Sequence, residues 1–116
     1  MDDDSSAEFW EYLENLINQA VLIIDRPKGS PHPTNPGFIY PLDYGYLEGI
    51  PSMDGSGLDV WLGSIPEHTL VGLMCTVDLW KQDVEVKLLL GCTPQETALI
   101  ESIHNYGQMR AILVPR

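Results

Sequence analysis

The sequence predicts a single α+β domain that is mainly β: a small, largely antiparallel sheet or barrel with two helices packed outside it. Three observations carry that prediction. Runs rich in β-branched residues or leucine stand at 58–62, 69–77, 84–90 and 111–114, separated by Gly, Pro and charged clusters. Two capped segments with helical spacing of apolar residues lie before and among those runs. The order helix, strands, helix, strand lacks the strict β-α alternation of a parallel sheet. A chain of 116 residues with 44% hydrophobic content can bury one core, and no repeat or linker divides it, so residues 1–116 are read as one domain.

Taken in order, Ser5 to Gln19 is predicted helical. Ser5 can cap it with Glu8 three residues on, and Phe9, Leu13, Leu16, Ile17 and Ala20 recur at helical spacing. Ala20 to Ile24 is a short β-prone run ending at Asp25-Arg26-Pro27. Lys28 to Gly37 follows with three prolines and two glycines and is predicted to be loop. Tyr40 to Tyr46 reads as an aromatic segment, Met53 to Gly57 as a turn, and Leu58 onward as a strand. Thr93 as cap, Pro94 in the first turn and Glu96 three after the cap announce a second helix, with Leu99, Ile100 and Ile103 on one face. Gly107 is placed to end it.

Charge excludes several partners. A net charge of −11 with only six Lys and Arg repels nucleic-acid backbones and anionic lipid surfaces, so neither nucleic acid nor membrane is expected as a partner. A small phosphate compound meets the same repulsion unless cations sit between it and the carboxylates. Cys75 and Cys92 stand apart with no Cys-x-x-Cys pair, which predicts reduced thiols. The acidic N-terminus is unlike a secretory signal, and no apolar run approaches the roughly 20 residues that span a bilayer. A cytoplasmic protein is expected. Trp10, Trp61 and Trp80 are expected in the core or at an interface, and His68 and His104 lack metal-ligand spacing.

Two acidic groups could carry chemistry. Asp54 and Asp59 flank a glycine-bearing turn that can bring two carboxylates to the mouth of a sheet, where hard cations take oxygen ligands; an Asp-Gly turn entering a strand gives the same pattern. A calcium-binding EF-hand is excluded, because counting from Asp54 puts Asp59 where it needs glycine and Ile65 where it needs glutamate. In Asp83-Val84-Glu85-Val86-Lys87, alternation places Asp83, Glu85 and Lys87 on one strand face and both valines on the other, as a solvated strand face also would.

Tyr40-Pro41-Leu42-Asp43-Tyr44-Gly45-Tyr46 and the later Asp54-Gly55-Ser56-Gly57-Leu58-Asp59-Val60 resemble, without a gap between them, the Tyr-Pro-x-Asn-Tyr-Gly-Tyr and Asp-Gly-Asp-Pro-x-Asp-Val segments of the family I soluble inorganic pyrophosphatases. Ile24 to Ser30 is similar to that family's Glu-Ile-Pro-Lys-Gly-Ser strand end, and Glu85-Val86-Lys87 to its Asp-x-Lys. The resemblance implies a five-stranded OB-like barrel with outer helices, a homo-oligomer, and hydrolysis of inorganic diphosphate or a related small phosphoanhydride by metal-activated water. It implies Mg2+, with Mn2+ as an alternative, held by Asp54, Asp59, Asp83 and Glu85; Asp78 is a poorer candidate for the place given to Asp83. Asp54, Asp59 and Asp25 fall at catalytic positions, and Lys28, Tyr44, Lys87 and Tyr106 near the phosphates.

The chain departs from that pattern at Ser56, where the family has its central aspartate, and at Gly107, where it usually has lysine. It is also shorter than the family's usual subunit, and Asn35 to Tyr40 leaves no room for a hairpin carrying Lys-x-Glu and an arginine. Arg26, Lys28, His32 and Arg110 are the candidates to replace the missing cationic contacts. An alternative reading is a non-catalytic pyrophosphatase-fold module that binds metal or a phosphate ligand, or assembles with itself.

Overall fold

The structure, a computed structural model, describes residues 4–50 and 57–116. Eight elements follow one another: α1 (Asp4–Asn18), β1 (Val21–Arg26), β2 (Asp43–Glu48), β3 (Leu58–Leu62), β4 (Leu70–Asp78), β5 (Asp83–Leu90), α2 (Pro94–Ile103) and β6 (Met109–Pro115). The strands form one sheet in the order β1-β2-β3-β5-β4-β6, antiparallel throughout except where β3 runs parallel to β5. The α+β, mainly-β architecture matches the sequence prediction. The strand count is six where the resemblance implies five, and among the described residues β1 and β6 remain the sheet's two edges.

The additional strand is β2, which the sequence presents as an aromatic segment. Its centre is Gly45, a weak strand former. The glycine is there because β1 passes unusually close: a Cβ at position 45 would lie 1.8 Å from the Ile23 carbonyl oxygen, beside the register shift between Ile24 and Arg26. The predicted loop after β1 also has more order than its prolines suggest. His32 N–H donates to the Phe38 carbonyl, Tyr40 N–H to Ser30, and Gly29 N–H to Tyr40, while Pro31 bridges Ile39. This narrow return hairpin packs Phe38 and Tyr40 against the sheet.

Each sheet face has its own apolar layer. Alternation sends Leu47, Val60, Leu73, Leu88 and Leu90 to one face, where Trp10, Leu13 and Ile17 of α1 pack against them. Trp61, Met74, Leu89 and Ala111 point to the other, beneath Ile100 of α2 and Tyr40 of the return hairpin. Helix α2 begins as predicted: Thr93 Oγ1 accepts from Glu96 N–H at 3.1 Å, and Glu96 Oε1 accepts from Thr93 N–H at 2.8 Å. It ends at Ile103, short of Gly107, which takes a positive φ of 61° in the connection to β6. Asn105 in that connection blunts the β6 edge, its side-chain amide donating to the Ala111 carbonyl and accepting from the Ala111 N–H.

Of the three tryptophans, Trp61 is buried and Trp10 packs from α1 onto the sheet, as expected of core residues, whereas Trp80 on the β4–β5 turn is 85% exposed. Both cysteines are free thiols. Among the described residues, no helix is long and apolar enough to cross a membrane.

Candidate active site

The three central strands place three polar side chains on one face. Register pairs Tyr46 with Asp59 across β2 and β3, and Asp59 with Lys87 across β3 and β5. Tyr44 and Glu85 sit two residues from Tyr46 and Lys87, so alternation returns both to that face. The result is a cluster around one ammonium group. Lys87 Nζ donates to the Tyr44 hydroxyl at 2.8 Å, to Glu85 Oε1 at 2.8 Å and to Asp59 Oδ2 at 3.1 Å. The Tyr44 hydroxyl donates to the same Asp59 Oδ2 at 2.8 Å. The ammonium also lies 5.3 Å from the Tyr44 ring centroid.

Lys87 is only 5% exposed, whereas the side chains of Asp59 and Glu85 keep about a third of their surface in solvent. Burial disfavours the Lys87 charge, but the Tyr44 oxygen and the Asp59 and Glu85 carboxylates outweigh it and hold the pKa above the usual lysine value. Burial pushes the Tyr44 phenol upward and the Asp59 charge adds to that, against the opposing effect of Lys87. Tyr44 is therefore a neutral donor to Asp59 that accepts from Lys87. A buried cation holding two half-buried carboxylates fixes three side chains in one geometry without a vacant polar group; no buried side-chain N or O among the described residues lacks a partner.

This cluster forms part of the wall of a cavity of about 330 Å³ lined by Asp25, Arg26, His32, Tyr40, Tyr44, Gly45, Tyr46, Asp59, Lys81, Glu85 and Lys87. Three of the chain's six Lys and Arg residues lie on that wall, beside three carboxylates. In a chain of net charge −11, this concentration of cations makes the cavity locally balanced and able to receive an anion. His32 stacks on Tyr40, with ring centroids 6.1 Å apart and planes 10° from parallel, which places the return hairpin over one side.

The residues singled out by sequence divide accordingly. Asp25, Tyr44, Asp59, Glu85 and Lys87 converge on the cavity, as does Arg26, which pairs with Asp25 at 3.3 Å. Asp83 shares a strand face with Glu85 but stands opposite Asp78 at the end of the β4–β5 hairpin and is not part of the cavity wall. Lys28 contributes a backbone N–H that donates to Asp43 Oδ1 at 2.8 Å, tying the return hairpin to β2, and its side chain is not on the wall. Tyr106 is 82% exposed in the α2–β6 connection, again away from the wall. Arg110 on β6 turns its guanidinium to the Gly107 and Met109 carbonyls. Asp54 and Ser56 lie outside the described residues.

Lys81 is the wall residue that the sequence reading passes over. A turn residue carries no periodic signal; the available clue is that a hairpin joining β4 to β5 must fold position 81 back near the charged face of β5.

The donor set bears on the metal the resemblance implies. Mg2+ prefers oxygen ligands, keeps several waters, and is commonly bound by one or two carboxylates together with substrate phosphates. Asp59 and Glu85 fit that role: both carboxylates reach the cavity, and among the described contacts one oxygen of each is bonded to Lys87. Among the described residues no group of three or more His, Cys, Asp or Glu stands together as a self-sufficient metal cage. Two carboxylates reaching one cavity are the number commonly used by Mg2+ bound together with phosphate.

His104, buried between α2 and the sheet, has a structural part. Its Nε2 accepts from Trp61 Nε1 at 3.0 Å, leaving the proton on Nδ1, which faces Met109 Sδ at 3.2 Å. Burial, and secondarily the Lys87 charge, lower its pKa to about 4.

No family model matches the chain, and no curated protein matches it.

Proposed function

We propose that the cavity is the active site of a divalent-metal-dependent hydrolase of inorganic diphosphate or a related small phosphoanhydride. The observation that carries this reading is the single ammonium of Lys87 bonded at once to Tyr44, Asp59 and Glu85. Those are the positions that the resemblance to family I pyrophosphatases assigns to phosphate and metal contact. The same reading takes the six-stranded sheet as kin to that family's five-stranded OB-like barrel, and the protein as cytoplasmic.

In this mechanism Asp59 and Glu85 would hold Mg2+, or Mn2+; of the further carboxylates the resemblance implies, Asp83 is off the cavity wall and Asp54 lies outside the described residues. Bound divalent cations supply neutralisation of the diphosphate charge and a water of lowered pKa. Lys87 contributes a fixed positive charge beneath the phosphates, where burial strengthens its field. Tyr44, held neutral, orients Asp59 by donating to Oδ2. As water oxygen bonds to one phosphorus and the bridging P–O bond breaks, the water's proton would pass to Asp59 Oδ1, the oxygen that neither Tyr44 nor Lys87 engages, with Asp25 and Arg26 at the rim at the end of β1. The resemblance also puts Lys28 and Tyr106 near the phosphates, but neither is on the cavity wall, so no step is assigned to them. Phosphate release from diphosphate, measured with Mg2+ and with Mn2+, tests the reading: wild type should turn over, and Asp59→Asn should lose activity by about 10²-fold or more. Absence of turnover in both metals, or indifference to the substitution, refutes it.

A second observation favours assembly as the alternative. On the face of the sheet opposite the cavity, beyond the area α1 covers, Val77, Val84, Val86 and Ile112 are 40%, 74%, 41% and 65% exposed, and Leu79 on the adjoining turn is 68% exposed. Together they offer several hundred Å² of apolar surface, the order that each partner of an ordinary interface contributes. A second copy of this chain is the proposed occupant, giving a homo-oligomer. Sedimentation should show a dimer or larger species that Val84→Lys converts to monomer; a monomeric wild type at micromolar concentration refutes it.

A further inference from the structure

The cavity wall holds three cations, and they are not equivalent. Arg26 is committed to Asp25, and Lys87 to Asp59, Glu85 and Tyr44. Lys81 is exposed, and among the described residues its ammonium has neither a carboxylate partner nor a hydrogen bond. Its backbone, by contrast, is fixed. The buried Asp78 carboxylate accepts from Trp80 N–H at 2.9 Å and Lys81 N–H at 3.2 Å, and Gln82 turns through a positive φ of 60° to enter β5.

Position in the hairpin adds a second point. From Lys87 to Asp83 the strand runs about 13 Å, and Lys81 lies on the turn beyond Asp83. Lys81 does line that cavity. One cation therefore sits buried in the wall, and a second, on the turn, lines the same cavity without a side-chain partner among the described residues.

We propose that Lys81 is an anion-binding residue of the site, engaging the outer phosphoryl group of a two-phosphate ligand whose inner group lies over Lys87. This rests on the proposal that the cavity receives a diphosphate, and extends it to ligand selection. An anion with one phosphate needs only the inner position, whereas a diphosphate carries a second group that gains from the turn lysine. Lys81 thereby supplies a cationic contact that sequence reasoning found missing between Asn35 and Tyr40.

The test is calorimetric titration, with Mg2+ present, of imidodiphosphate as a non-hydrolysable diphosphate and of orthophosphate. Lys81→Gln, Lys81→Arg and Arg110→Gln are compared with wild type, Arg110 being a cation off the cavity wall. Loss of one charge-assisted contact predicts imidodiphosphate binding weakened about 10- to 100-fold in Lys81→Gln. Orthophosphate binding should change less than threefold, Lys81→Arg should retain most of the affinity, and Arg110→Gln should match wild type. Emission from the exposed Trp80 next door, assigned with Trp80→Phe, should shift on imidodiphosphate binding in wild type and not in Lys81→Gln. Unchanged melting temperatures show that folding is not what the substitutions alter. A folded Lys81→Gln that binds imidodiphosphate as wild type does, or that loses both anions equally, overturns the assignment while leaving the diphosphate reading intact. A wild type that binds neither anion refutes both.

Discussion

Lys87→Met removes the ammonium at the centre of the cluster and keeps most of its volume. The substitution deletes three hydrogen bonds at 2.8, 2.8 and 3.1 Å, and leaves the Asp59 and Glu85 carboxylates beside a buried phenol without their cation. Removing one partner of a buried charge pair costs about 3–5 kcal/mol. Here the carboxylates are 31% and 32% exposed and water can solvate them in part, so a smaller cost, about 2–3 kcal/mol, is expected. With a urea m-value of about 1–1.5 kcal/mol/M for a domain of this size, the unfolding midpoint should fall by about 2 M at pH 7. The sign of the alkaline dependence also follows. Lys87 and Tyr44 both have folded-state pKa values raised above their unfolded ones, so their contribution is fully present below about pH 10 and is lost as pH rises further. Wild type should therefore lose its margin over Lys87→Met above that pH. In a double-mutant cycle, Asp59→Asn should cost less in the Lys87→Met background than in wild type. A midpoint shift under 0.5 M, or additivity of the two substitutions, would show that the bonds around Nζ do not hold the cluster together.

His104, whose pKa is lowered to about 4, stays neutral in the folded chain while the unfolded chain protonates near pH 6.5. Stability should consequently decline as pH falls from about 6.5 to about 4, by roughly 2–3 kcal/mol, and His104→Gln should show a shallower acid limb in urea titrations at pH 7 and pH 5. Gly45→Ala places a methyl 1.8 Å from the Ile23 carbonyl oxygen, so β1 must separate from β2; a loss of more than about 3 kcal/mol is expected, read as a collapse of the melting temperature. Gln82→Gly relieves a φ of 60° and should gain about 0.5–1 kcal/mol without altering ligand binding.

The features legible in the sequence are those with a period or a cap. The alternation of Asp83 to Lys87, the capping box at Thr93 and Glu96, and the helical spacing of Leu13 and Ile17 each report a local rule that the fold obeys. Strand β2 was illegible because its central residue, Gly45, is chosen for the approach of β1 rather than for strand propensity. The return hairpin from Gly29 to Tyr40 is held by backbone bonds, which side-chain patterns do not announce. At the site, Tyr44, Asp59, Glu85 and Lys87 could be named beforehand, but their meeting at one ammonium depends on the parallel pairing of β3 with β5, which no local pattern specifies. Asp83 obeys the same alternation as Glu85 and yet misses the cavity wall, because the strand carries it about 7 Å further toward the turn.

Strand β5 separates the two functional readings physically. Glu85 and Lys87 face the cavity, while Val84 and Val86, interleaved with them, face outward at 74% and 41% exposure. An ordinary half-buried strand would bury its valines and expose its charges. Here the charged face is the enclosed one and the apolar face the open one, the first departure being what the proposed ligand site would require and the second what the proposed interface between copies would require. Because side chains on opposite faces of a sheet do not touch, a substitution at Val84 leaves the Lys87 cluster in place, and one at Lys81 or Lys87 leaves the apolar surface in place. The two readings are thus separable in experiment, and a protein that uses both faces of β5 at once is compatible with this geometry.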